Sequence, residues 1–190
     1  MLEEYQIFWR GPYEWPKPRV KSPLDTMKGV YLWTVESIGG YVVSGCGITS
    51  RSIRKRVVEH RRAYLQGKYT LLDIDSMRRG VRKEIWHGMW AGHNSEERKA
   101  EFIQRDSELQ EVAREQMAAF RIFVAEVSEA RIPERIESAI MQTLYAAPEP
   151  YCDLPDRGTL EMPRRDNEER LLFINRSESH FINLAELMES

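Results

Sequence analysis

Between Thr49 and Arg62 the chain carries Arg51, Arg54, Lys55, Arg56, Arg61 and Arg62 against a single acid, Glu59. Guanidinium groups present a planar fork of donors that matches anionic oxygens, and phosphate above all. His60 stands inside the same run, and an imidazole exchanges protons near neutral pH. Ser52, Arg56, His60 and Tyr64 recur every fourth residue, so in a helix neighbouring members share one face. The pattern is that of a surface turned toward an anion, with a proton carrier beside it.

Other candidates for chemistry are weaker. Trp9, Tyr13 and Trp15 could stack on flat ligands, but rings of this size more commonly anchor an arm to its own domain. His87 and His93 with Glu84 and Glu97 match no recognised ligand spacing, so a metal cluster is not expected there. Cys46 and Cys152 are the two cysteines, too few for a disulfide framework or a cysteine zinc site.

The elements that must carry the basic run can be read from periodicity. Residues 29–36 and 40–46 read as two β-branched and aromatic strands joined at Ile38-Gly39-Gly40, a hairpin. A helix should follow, capped by Thr49 or Ser50 and ended by Gly67, with Ile53, Val57 and Tyr64 on its inner stripe and Leu65 beside it. The first 28 residues hold four Pro and read as an irregular arm. From 69 to 117 two helices are expected, with "WAGHNSEER" as the loop between them; Phe102, Leu109, Val112, Ala113 and Met117 line the second. "FRIFVAEVSE" at 120–129 reads as a third strand. Pro133 opens a helix with Ile136, Ile140 and Leu144 buried and Glu137 at their flank. A strand at 171–175 and a short C-terminal helix complete the reading. It is an α/β (α+β) protein with a small central sheet of about three strands flanked by helices, in one domain.

Composition narrows the classes. The chain has 190 residues, 42% of them apolar and 31% charged, which suits a globular core rather than disorder. No apolar run approaches the roughly 18 residues that span a bilayer, so no membrane association is expected and the expected location is cytoplasmic. A net charge of −2 argues against nonspecific coating of nucleic acid, since that affinity comes from many Lys and Arg. It leaves room for one local basic face, because the acids gather at 96–115 and 161–169.

The order of pieces resembles the GIY-YIG nuclease family. "GVY" at Gly29–Tyr31 is similar to the first name tripeptide, "GITSRSIRKRVVEH" to the family's helix bearing Arg and His, and "RIESAIMQTLY" to its Glu helix. The likeness covers about 29–66 and 119–146, and makes 67–117 a helical insertion. In register, the second tripeptide falls on Gly45-Cys46-Gly47, so the family's second Tyr is Gly45 here; Tyr41 or Tyr64 is the substitute. The family's Asn is matched, after an extended loop, by Asn175.

The resemblance implies a metal-dependent endonuclease that hydrolyses phosphodiester bonds in DNA. It makes Tyr31 the general base, activated by the charge of Arg56, and gives His60 a phosphate contact or proton relay. It makes Glu137 the ligand of a single Mg²⁺ (or Mn²⁺), a hard cation that offsets charge on the departing oxygen. Arg51, Arg54, Lys55 and Asn175 would meet nucleic acid, and a homodimer would suit cutting both strands. Singly, each of these residues has an ordinary reading as core or solvated surface; the case rests on their occurring together, in order. Two alternatives stay open: a degenerate module of the same fold that binds nucleic acid or a protein without cutting, and an unrelated α/β protein whose basic helix meets an acidic partner.

Overall fold

The computed structural model describes residues 2–90, 94–157 and 162–190. The hairpin forms as its sequence requires. Strands β3 (Gly29–Ser37) and β4 (Gly40–Thr49) pair antiparallel through the two-residue turn Ile38-Gly39. Gly39 has φ of 86°, a conformation that residues with a Cβ rarely adopt, which explains glycine at that corner. β7 (Phe120–Ala125) adds antiparallel to the other side of β3.

Alternation along β3 divides the two faces of this sheet. Val30 and Leu32 point to one side with Phe123; Tyr31, Trp33 and Val35 point to the other. Helix α5 (Ile132–Tyr145), with proline in its first turn, buries Ile136, Ile140 and Leu144 on the first face. Helix α1 (Ile53–Leu65) buries Ile53 and Val57 on the second. Its cap is Ser52, whose side chain accepts from Lys55 N, rather than Thr49 or Ser50; Thr49 Oγ1 instead accepts from Arg51 N. The chain needs that extra turn to leave the sheet before the helix can start.

The N-terminal arm is not irregular. It contributes β1 (Glu3–Phe8) and β2 (Arg10–Glu14), then a 3₁₀ turn at Pro23–Asp25. β2 pairs with β7, so the central sheet has four strands in the order β2-β7-β3-β4 rather than about three. Its register shifts between Arg10 and Tyr13, where Gly11 and Pro12 lie, and an edge strand tolerates the missing N–H of proline. β1 runs parallel to β8 (Leu171–Arg176) in a second sheet that closes over the α5 side. The third strand there, β9 (Leu187–Glu189), stands where a C-terminal helix was expected.

The segment after α1 also departs from expectation. In place of a first helix, β5 (Leu71–Leu72) and β6 (Glu84–Trp86) pair around a single short helix, α2 (Ile74–Arg78). The expected second helix is divided at Arg105 into α3 (Glu96–Gln104) and α4 (Asp106–Ala119). α4 keeps the expected stripe: Leu109, Ala113 and Met117 pack on Leu71 and Trp86. Among the described residues no helix is long and apolar enough to cross a membrane. The architecture is α+β.

Candidate active-site cleft

On the α1 side of the central sheet lies a cleft of about 460 Å³. β3 supplies Tyr31, α1 supplies Arg56 and His60, and α5 supplies Glu137 from the far side of the edge strand β4. Four candidates spread over more than 100 residues of sequence therefore line one cavity. The Tyr31 hydroxyl is 2.9 Å from His60 Nε2. Trp33, two residues along the same face of β3, packs edge-on against both rings at centroid distances of 5.3 and 5.2 Å.

The glycines of β4 make room for this pair. Gly47 lies opposite Tyr31, and a Cβ there would stand 2.5 Å from the phenolic oxygen. No side chain fits while the hydroxyl keeps its place. Gly45 lies opposite Trp33 with ordinary clearance, so its lack of a side chain widens the cleft without being forced by packing.

Burial dominates the electrostatics. The Tyr31 phenol is pushed well above its ordinary range by burial, against which the charge of Arg56 acts in the opposite direction. His60 is pushed down to about 4, first by burial and then by Arg56, with Glu59 opposing. At neutral pH the pair is a protonated phenol beside a neutral imidazole. Either the phenol donates to Nε2, or Nε2–H donates to the phenolic oxygen. Burial also holds the Cys46 thiol protonated, reinforced by Glu137.

The remaining candidates separate. Arg56 reaches Glu59 at 3.3 Å, and Glu59 also takes both nitrogens of Arg51 at 2.7 and 2.9 Å. Arg54 is turned away: it donates to Val20 O at 2.5 Å and Lys17 O at 2.8 Å and pairs with Asp25 at 3.1 Å, which ties the arm to α1. Lys55 is exposed. Asn175 joins two connecting segments, accepting from Trp9 Nε1 at 2.8 Å and donating to Ala185 O at 2.7 Å, outside the cleft. Trp9 and Trp15 are thus anchors, the latter stacked on Trp33 at 5.2 Å.

Tyr41 falls on the opposite face from Tyr31, against Phe123 at 5.0 Å. The pairing shifts between Trp33 and Thr34, leaving Ser44 as an extra residue in β4. Such a bulge reverses the alternation, so residues four apart no longer share a face. Tyr64 does line the cleft.

Three further residues belong here. Trp33 could have been found from the period of β3. Tyr69, with its ring 5.4 Å from His60, and Asp156, held by Arg82 at 2.6 Å, follow from chain crossings with no local signal. His87 meets Glu84 at 2.9 Å; His93 lies outside the described residues. Among the described residues no group of three His, Cys, Asp or Glu could hold a metal. The hard oxygens of Glu137 alone fit a cation such as Mg²⁺, which keeps most of its waters and binds through one or two carboxylates plus substrate phosphate. No protein-family model, curated protein or solved structure matches the chain.

Proposed function

We propose that this cleft hydrolyses phosphodiester bonds in DNA with the help of Mg²⁺ or Mn²⁺. The observation that carries the reading is the 2.9 Å Tyr31–His60 contact inside a cleft that Arg56 and Glu137 also line. The resemblance to GIY-YIG nucleases supports it and supplies the choice of DNA. Arg56 holds a nonbridging phosphate oxygen through its planar fork. The entering phosphate brings negative charge next to His60 and raises its affinity for a proton. Tyr31 then passes its proton to Nε2 while its oxygen takes one from the attacking water. The phenol ends neutral, the imidazole charged, and the hydroxide oxygen attacks phosphorus as the departing oxygen leaves with the bonding pair and takes a proton from solvent. Tyr31 is thus a relay and His60 the base, a division of labour that follows from the two shifted pKa values. Glu137 is the residue that would hold the divalent cation, which would supply positive charge to offset the charge that builds up in the reaction.

The test is cleavage of supercoiled plasmid and single-stranded DNA with Mg²⁺ or Mn²⁺ against EDTA. Metal-dependent cutting lost in Tyr31→Phe, His60→Gln and Glu137→Gln supports the reading. Cutting that survives all three refutes it. A second reading, a binding module without catalysis, is favoured by one observation: Tyr31 is only 1% exposed. Steeply salt-dependent DNA binding by wild type that never cuts would select it.

A further inference from the structure

Behind the cleft wall lies a second cavity of about 370 Å³, within the size range of small-ligand sites. Trp15 lines it, and this ring also stacks on Trp33 and Phe120, with centroids 5.2 and 6.2 Å away and planes inclined by 19° and 26°. Trp33 and Phe120 line the cleft, so Trp15 is part of the wall between the two cavities. Pro16, Pro18 and Met117 extend the apolar floor. Lys17, Arg61 and Arg114 stand around it, against one acid, Glu14. No described carboxylate pairs with these three cations, whereas Arg51, Arg54, Arg82, Arg105 and Arg131 are all taken up by acids.

We propose that this groove docks a nucleotide of a single-stranded nucleic acid, its base against Trp15 and its flanking phosphates on Lys17, Arg61 and Arg114. A flat aromatic floor inside a ring of uncompensated cations is the combination that single strands require. An acidic peptide would use the cations but has no need of the ring, and a free anion would need neither the ring nor the prolines. Trp15 is held by its packing on Trp33 and Phe120, so little entropy is lost when a base stacks on it. α1 serves both cavities, with Arg56 and His60 on the cleft and Arg61 on the groove, about 7.5 Å along the axis from Arg56 at 1.5 Å per residue. The polymer's identity rests on the phosphodiester reading of the cleft; the groove would anchor a strand whose neighbouring phosphate the cleft receives.

The experiment is fluorescence anisotropy of a labelled twelve-residue oligothymidylate, in EDTA, across a KCl series. The expected result is a loss of affinity of about tenfold or more in Arg61→Glu/Arg114→Glu, with the salt slope smaller by about 1.4, or ~0.7 for each of two lost phosphate contacts. Lys17→Glu, a separate surface change, should weaken binding in the same direction, and Trp15→Phe should reduce the quenching of tryptophan emission. Unaltered circular dichroism establishes that each variant is folded. Wild-type affinity in both charge variants overturns the proposal, as does no binding at low salt or equal competition by polyglutamate. Binding lost only in Arg56→Ala overturns the groove and leaves the cleft reading standing. Binding lost in the groove variants of a protein that never cuts DNA sustains the groove and removes the nuclease.

Discussion

The two faces of the central sheet are built from the same strands and have opposite characters. Beneath α5, Val30, Leu32, Val43 and Phe123 meet Ile136, Ile140 and Leu144 in an apolar layer that the second sheet closes. Beneath α1, Tyr31 and Trp33 meet a buried imidazole, and the layer opens into a cleft. One-residue alternation along β3 is enough to separate a face that holds the fold from a face that holds reactive groups. Polar groups are buried on both faces, but the second places a phenol and an imidazole side by side, and Tyr31 and His60 satisfy one another. Apolar packing on the first face stabilises the molecule enough to tolerate an imidazole held far from its ordinary pKa.

The largest effect that could break this contrast is on the apolar face. Phe123→Ala should cost about 3–5 kcal/mol, since the ring is fully buried and touches Tyr41 and Phe181. Urea denaturation measures the loss, and in the folded variant the His60 imidazole should titrate as in wild type. A large shift of His60 would mean that the faces are coupled through the strand.

On the other face the expected effect depends on pH. Unfolded, His60 titrates near 6.5; folded, it titrates at about 4. Between those values the unfolded chain binds the proton first, so acid favours unfolding. Stability should fall by on the order of 3 kcal/mol as pH drops from 6.5 to 4, with no further loss from this group below. Denaturation midpoints at neutral pH and at about pH 5 should converge in His60→Gln relative to wild type. An equal acid loss in that variant would assign the effect to another group.

Gly47→Ala tests the boundary between the faces. The added methyl meets the phenolic oxygen, so Tyr31 must move, at a cost of about 1–3 kcal/mol. Its proton resonance and that of His60 should shift together. A variant with wild-type stability and spectra would show that β4 yields instead.

The smallest effect compares neighbours on α1. Arg54→Ala should destabilise by about 1–2 kcal/mol, because it releases two carbonyls and Asp25 of the arm. Lys55→Ala, on an exposed side chain, should leave the melting temperature unchanged. Equal effects would remove the distinction between a tether and a solvated cation.

The local patterns alone determined the hairpin with its Gly39 corner, the basic helix after it, the Pro-led helix with its buried stripe, and a strand read at 120–129 that the structure ends at Ala125. Each is set by contacts within a few residues, so period and turn chemistry suffice to read it. Tertiary structure decided the rest. The arm became β1 and β2 because their partner strands lie far along the chain, beyond any local signal. The extra residue at Ser44 sent Tyr41 to the apolar face, and only the pairing with β3 fixes where such a bulge falls. Arg54 and Arg56 are alike in sequence; packing turned one onto the arm and the other into the cleft. The resemblance to GIY-YIG nucleases singled out Tyr31 and His60 as groups able to move a proton. Their burial, a property of the whole fold, determined which of the two can accept one.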